Sequence, residues 1–287
     1  MSILQPLIGI AAVLSAGTLI ALAGSQGSVM LGPLPIFALC ATVGILLHWV
    51  VFIPSFVWQT EHYFDLTGGL SYLATVGLAL LAHPTMDMRG QLLCMLVAIW
   101  AVRLGSFLFL RVKRTGRDRR FEEIKKCFSR FAFTWTLGGG WVFITMAAAL
   151  AAITSEIQKP LGLLAWVGLA LWITGFAVEV IADHQKSRFR RNPENTERFI
   201  STGLWSLSRH PNYLGEIVLW LGITVIALPV LSGWQLLTLI SPAFVVLLLV
   251  KVSGVPMLES SASKRWGHEP AFQDYVNSTP VLFPKIV

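Results

Sequence analysis

The chain has 287 residues, 55% of them hydrophobic and 13% charged, with a mean hydropathy of +0.68 and a net charge of +7. That balance is too apolar for an ordinary soluble domain and reads as an all-α, polytopic bundle of transmembrane helices. Three cysteines and six histidines, all scattered singly, exclude a disulfide framework and any short-spaced metal site.

Uncharged apolar stretches of the roughly 20 residues that a spanning helix needs lie near 3–23, 34–53, 66–82, 90–110, 134–153, 160–182, 213–230 and 234–250. They make eight spans, or seven if the first stands apart from the core; that first stretch ends in Ala21-Leu22-Ala23 but lacks the basic start of a signal peptide. Of the 22 Lys and Arg, nine fall between Arg111 and Arg130, six between Lys186 and Arg209, and four between Lys251 and Lys285. These segments are expected on the cytoplasmic side, by the bias of basic residues toward inside loops, with both termini inside. Because the basic residues are tied to short loops between spans, a nucleic-acid partner is not expected. With no repeat, linker or soluble segment, residues 1–287 read as one integral membrane domain.

Polar residues within this apolar background carry the chemistry. Arg103 lies inside the fourth span, eight residues before Arg111, and residues 114–126, RTGRDRRFEEIKK, form a cationic loop with Asp118 in it. Snorkelling and contact with anionic lipid account for such charges, phosphate recognition being the alternative. Further along, Glu179, Asp183, Lys186 and Arg190 recur at three and four residues, so they share one helix face. Carboxylates that accept ribose hydroxyls and cations that meet phosphates suit a nucleotide, whereas an intrahelical ion-pair ladder is the plain alternative. Gly138-Gly139-Gly140 lacks the Lys and the strand of a phosphate-binding loop.

The densest feature is GLWSLSRHPNYLGE at 203–216, just before an apolar run. If a helix begins near Pro211, Asn212 and Glu216 share a face in its first turns, with Arg209 and His210 just ahead and Tyr213 between. Five polar groups at a membrane surface are costly to desolvate unless they bind something polar, a satisfied helix cap being the bland alternative.

The chain resembles the bacterial membrane proteins related to steroid 5-alpha-reductase that are described by a domain of unknown function, which implies a place in a bacterial inner membrane. The resemblance rests on DLTGGLSY (65–72), WAVRLGSFLFLR (100–111), GRDRRF (116–121), DHQKSRFR (183–190), GLWSLSRHPNYLGE (203–216) and SPAFVVLLLVKVSGVPMLE (241–259), and covers a core of about 60–280. It implies a reductase that holds NADPH in a cytoplasm-facing cavity and reduces an activated carbon–carbon double bond in a lipid. By the resemblance, Asn212, Glu216, Asp183, Arg190 and Arg103 contact the dinucleotide, within cofactor segments 100–121, 179–216 and 251–275; Glu179, Lys186, Arg111, Asp118, Arg209, His210 and Tyr213 complete the expected set.

At the substrate end the family's glutamate and tyrosine polarise an enone ketone. Here that region offers Asp65, with Glu61 one turn earlier, and Trp100 falls at the tyrosine position. Tryptophan donates a hydrogen bond but is no acid, so Asp65, lacking a cation nearby in sequence and kept neutral by burial, is the expected proton donor; a helix N-cap is its alternative role. The departure points away from a 4-ene-3-ketosteroid and toward another isoprenoid, enone or enoyl lipid drawn from the bilayer. The competing enzyme reading is an S-adenosylmethionine-dependent methyltransferase of the isoprenylcysteine or phospholipid type, which shares the Arg-His-Pro element; a lipid-binding or transport scaffold is a third.

Overall fold

The computed structural model describes residues 4–115 and 121–284. Among them, eight helical segments are long and apolar enough to cross a membrane, and the protein is an all-α, polytopic integral membrane protein. The contacts group the chain into two compact units, residues 1–165 with 226–241, and 166–225 with 242–287.

The first unit contains helices α1 (Leu4–Gly24), α2 (Ile36–Val57), α3 (Phe64–Ala82), α4 (Met88–Thr115) and α5 (Phe128–Ile153), with a two-residue β1–β2 hairpin at Met30–Leu31 and Leu34–Pro35. Its core is α5, buried along nearly its whole length. The reason lies in its composition. A β-carbon at Gly139 would sit 2.8 Å from Ile45 Cα and 3.0 Å from the Gly44 carbonyl, so glycine lets α2 and α5 touch backbone to backbone. That contact offsets the cost of about 1 kcal/mol that glycine carries in a helix interior. At one end of the same unit, Phe52, Phe121, Phe131 and Trp135 form an aromatic cluster that pins the start of segment 121–127. At the other, the buried Arg89 guanidinium donates to the carbonyls of Ile226 (2.6 Å) and Pro160 (2.9 Å), satisfying groups that a helix end leaves open.

The second unit takes in most of α6 (Leu163–Arg191), then α7 (Leu204–Leu207), most of α8 (Pro211–Ala227), α9 (Ile240–Leu247), α10 (Val255–Trp266) and α11 (Pro270–Ser278). α6 and α8 meet through glycines: a β-carbon at Gly215 would lie 2.6 Å from both the Glu179 nitrogen and the Gly175 oxygen. Such close approach fixes the register of the two helices, which matters because each carries part of the polar cluster. The expected span at 234–250 is present but changes helix type along its length. Residues Gly233–Leu239 form a 3₁₀ turn and Leu248–Val252 a π turn before α10 starts at Val255, with Pro256 in its first turn where no backbone N–H is required.

Candidate functional site

The chemistry-bearing side chains fall into two groups, one in each unit. In the second unit α6 continues unbroken to Arg191, so Glu179, Asp183, Lys186 and Arg190 lie along one helix; Glu179 and Asp183 are buried, Lys186 half-buried and Arg190 exposed. α8 begins at Pro211, as its sequence predicts, and Asn212 Nδ2 donates to Asp183 Oδ1 across 3.3 Å. Glu216, one turn further, is buried. Lys186 Nζ sits 4.2 Å over the Trp205 ring.

The loop ahead of α8 is held by the chain's end. The Arg209 backbone N–H donates to Pro280 O at 2.9 Å, and Tyr275 Oη donates to Trp205 O at 2.7 Å; burial pushes the Tyr275 phenol up to about 12. Gly203, at φ 64°, makes the turn into α7 in a conformation that favours glycine, and the Leu204 N–H then donates to Gln185 Oε1. This leaves Arg209 and His210 against Glu259, which the sequence reading missed although it closes the motif at 241–259. Arg209 Nη1 lies 2.6 Å from Glu259 Oε2, and His210 Nε2 lies 2.7 Å from Oε1. Tyr213 stacks on His210 with centroids 5.6 Å apart.

Three buried polar atoms in this cluster have no hydrogen-bond partner among the described residues: Arg209 Nε, His210 Nδ1 and Asn212 Oδ1. Each is costly to leave so, by about 1–3 kcal/mol, and three side by side in sequence and structure point to a polar ligand. Their roles follow from their neighbours. Because His210 Nε2 donates to the Glu259 carboxylate, its Nδ1 in the neutral ring is an acceptor, and burial holds this imidazole below its usual pKa against the opposing pull of Glu259. Asn212 has spent a donor on Asp183, so its Oδ1 also accepts. The ligand must therefore offer hydroxyl or amide donors to these two atoms and an acceptor to Arg209.

In the first unit, the space between α3 and α4, backed by α2 and α5, is a slot of about 540 Å³ with its open side included, walled by Phe64, Tyr72, Trp100 and Trp141 and by glycines 68, 69, 105 and 138. From Asp65 to Tyr72 the helix rises about 10 Å, the scale of a short isoprenoid. Trp100 is buried and meets Tyr72 edge to face at 5.1 Å. Tyr72 was passed over in the sequence, where it stands merely as the end of DLTGGLSY.

Two expectations for the carboxylates are corrected. Asp65 does not cap its helix: Tyr63 occupies the N-cap and Asp65 lies in the first turn. Nor does it lack a cation, since Arg111 Nη2 lies 3.7 Å from Asp65 Oδ2; α3 and α4 bring together residues that are distant in sequence. Glu61 is buried and bonded to Lys125 Nζ at 2.6 Å, an ion pair that ties segment 121–127 to the start of α3. Arg103 lies in the same unit with its guanidinium 5.4 Å over Phe107. Asp118 lies outside the described residues.

A helical membrane protein with a buried polar cluster, three of whose atoms await a partner, is thus the class that fold and site define. Within it, the chain belongs to the family described as protein of unknown function (DUF1295), whose model matches residues 51–279, as its motifs suggest. It is 27% identical to 3-oxo-5-alpha-steroid 4-dehydrogenase 1 of Rattus norvegicus over 120 residues, 42% of this chain and 41% of that one. It is 25% identical to the Delta(14)-sterol reductase TM7SF2 of Mus musculus over 174 residues, 55% of this chain and 40% of that one. Uncharacterized protein C594.04c of Schizosaccharomyces pombe is 23% identical over 236 residues, 72% and 66% of the two chains. The chain thus spans about two-fifths of the length of the rat steroid dehydrogenase and of the mouse sterol reductase. No solved structure matches it.

Proposed function

We propose that this protein is a membrane reductase that uses NADPH to reduce an activated carbon–carbon double bond in a lipid. The observation that carries the reading is the trio of orphaned atoms at Arg209, His210 and Asn212, beside the buried carboxylates of Asp183 and Glu216. It is supported by the names of the relatives, a steroid dehydrogenase and sterol reductases.

The residues fit a dinucleotide. Asn212 Oδ1 and His210 Nδ1 accept from hydroxyl or amide donors, Arg209 Nε donates to an oxygen acceptor, and Lys186 and Arg190 lie on the same unit as cations for phosphate. When bound, NADPH supplies the hydride. The protein's own part is to orient it, to keep water away and to hold a lipid. Glu259 serves as a positioning residue, since its two oxygens fix the Arg209 guanidinium and the His210 tautomer together.

The slot in the first unit is the proposed lipid site. Its apolar walls hold the hydrocarbon, the Trp100 indole lies in the wall as a donor type, and Asp65 at its rim, a carboxylate paired with Arg111, is proposed to relay a proton from water to the reduced lipid. Glu61, bonded to Lys125, positions the loop beside it. The loops rich in Lys and Arg are proposed to face the cytoplasm of a bacterial cell.

Turnover tests the reading. Purified protein with β-ionone, a small isoprenoid enone, should consume NADPH. Asp65→Asn keeps a hydrogen-bond donor but delivers no proton, and should bind NADPH normally while oxidising it at least about tenfold more slowly. Full turnover by a folded Asp65→Asn would remove Asp65 from the chemistry. Transfer of a methyl group from S-adenosylmethionine, with no NADPH consumption by wild type, would replace the reductase reading altogether.

A further inference from the structure

One buried polar group in the slot is used by nothing above. His48, on α2, is almost fully enclosed and belongs to the slot's lining. Its ring is held on two sides by aromatic edges, Phe64 at 6.1 Å and Trp135 at 6.0 Å between centroids. Its Nδ1 lies 2.7 Å from the Gly44 carbonyl and 3.4 Å from Ser71 Oγ. A carbonyl oxygen only accepts, so at 2.7 Å the proton sits on Nδ1, and in the neutral ring Nε2 carries the lone pair.

That nitrogen makes no hydrogen bond among the described residues, and a glycine on the facing helix sets where the ring sits. A β-carbon at Gly138 would lie 2.9 Å from both Nε2 and Cδ2 of His48 and 3.0 Å from Phe64 Cζ. Gly138 is itself a wall of the slot. The absence of a side chain at that position is therefore what lets the imidazole pack this closely against α5 while lining the slot, and any larger residue there would displace the ring. The slot's other polar features differ in kind: the Asp65–Arg111 ion pair, the Trp100 and Trp141 indoles, donors only, and the Tyr72 phenol, which can donate as well as accept.

We propose that His48 Nε2 is a hydrogen-bond acceptor for the slot's ligand, and that the lipid it takes carries a hydroxyl group in addition to the double bond to be reduced. The hydroxyl donates to Nε2, while the hydrocarbon lies along the glycine and aromatic walls. A ketone or ether oxygen at the same place would meet a lone pair and be disfavoured. Selection for an alcohol over an otherwise identical hydrocarbon follows, because a site with a built-in acceptor leaves that acceptor unpaired when the donor is missing.

The inference rests on the slot being the lipid site, and its test needs neither nucleotide nor turnover. Binding of β-ionone and 3-hydroxy-β-ionone, which differ by one hydroxyl, is measured by calorimetry on detergent-solubilised protein. Wild type should prefer the alcohol by roughly five- to tenfold, the worth of one net hydrogen bond. His48→Phe keeps the aromatic packing and should abolish or invert the preference while leaving β-ionone affinity within about twofold. His48→Gln, which retains an acceptor, should keep part of it. Gly68→Leu reports occupancy of the slot: nothing lies within 4 Å of a β-carbon there, so a side chain can fill the space, and both compounds should lose affinity. Equal affinities for the two compounds in wild type and His48→Phe, with both lost in Gly68→Leu, would overturn the assignment, as would failure of wild type to bind either. Failure of NADPH oxidation would strike the reductase reading and leave this result standing.

Discussion

The two units treat polar groups in opposite ways. In the first, two of the candidate carboxylates are matched with cations, Asp65 with Arg111 and Glu61 with Lys125, and the space they border is apolar. In the second, buried carboxylates stand beside a half-buried amide, and three polar atoms at Arg209, His210 and Asn212 have no partner among the described residues. Closed ion pairs around an empty apolar slot suit a ligand that brings hydrocarbon. Buried polar atoms left open suit a ligand that brings its own hydrogen-bonding groups, since a fold gains nothing by leaving them unsatisfied. The contrast teaches that burial of charge alone does not locate a cofactor; the unspent hydrogen-bonding capacity of the buried groups does.

If the units divide the work in this way, a change in one should leave the other's ligand untouched. Asp183→Ala strips Asn212 of a hydrogen-bond partner and removes a buried carboxylate, and should weaken NADPH roughly ten- to a hundredfold while β-ionone affinity stays within about twofold. Gly68→Leu should do the reverse. Parallel titrations of both ligands against both variants decide it; loss of both ligands in either folded variant would break the comparison.

A smaller effect follows from His210. Burial first, offset by Glu259, lowers its pKa in the folded protein below the ordinary 6.5, so between the two values the unfolded chain binds more protons. Stability therefore rises with pH through that window and is lost as pH falls below about 6.5. Melting temperature followed from pH 8 to pH 5 should fall on the acid side, and His210→Gln should flatten part of that fall. A wild-type melting temperature that holds or climbs toward pH 5 would contradict the neutral-imidazole assignment.

The smallest expected effect concerns sidedness. Cys127 is partly exposed, and the Ser129 hydroxyl and the Arg130 backbone hold its thiol below the usual range, so more thiolate is present at neutral pH. A membrane-impermeant maleimide should modify it from the cytoplasmic face, faster than an ordinary cysteine, while the buried Cys40 and Cys94 stay unmodified. Modification solely from the other face would reverse the proposed orientation.

What the sequence made legible was everything carried by local spacing. The spans, the start of α8 at Pro211, and the shared faces of Asn212 with Glu216 and of Asp183 with Glu179 all follow from helical periodicity and apolar length. What it hid depends on tertiary approach. Asp65 and Arg111 are 46 positions apart, Glu61 and Lys125 64, and Arg209 and Glu259 50, so no window along the chain contains either partner with the other. His48 looked like a lone histidine in an apolar span; its meaning depends on Gly138, a residue of another helix. Gly254 and Pro256, just past the expected end of the final span, mark where α10 begins.

The central claim is that the second unit's open polar atoms receive a dinucleotide. Equilibrium titration of purified wild type and Glu216→Ala with NADPH and, separately, with S-adenosylmethionine addresses it most directly. The account predicts saturable NADPH binding by wild type, weakened roughly ten- to a hundredfold in Glu216→Ala, with no comparable binding of S-adenosylmethionine. Tight binding of S-adenosylmethionine with no measurable affinity for NADPH would contradict it.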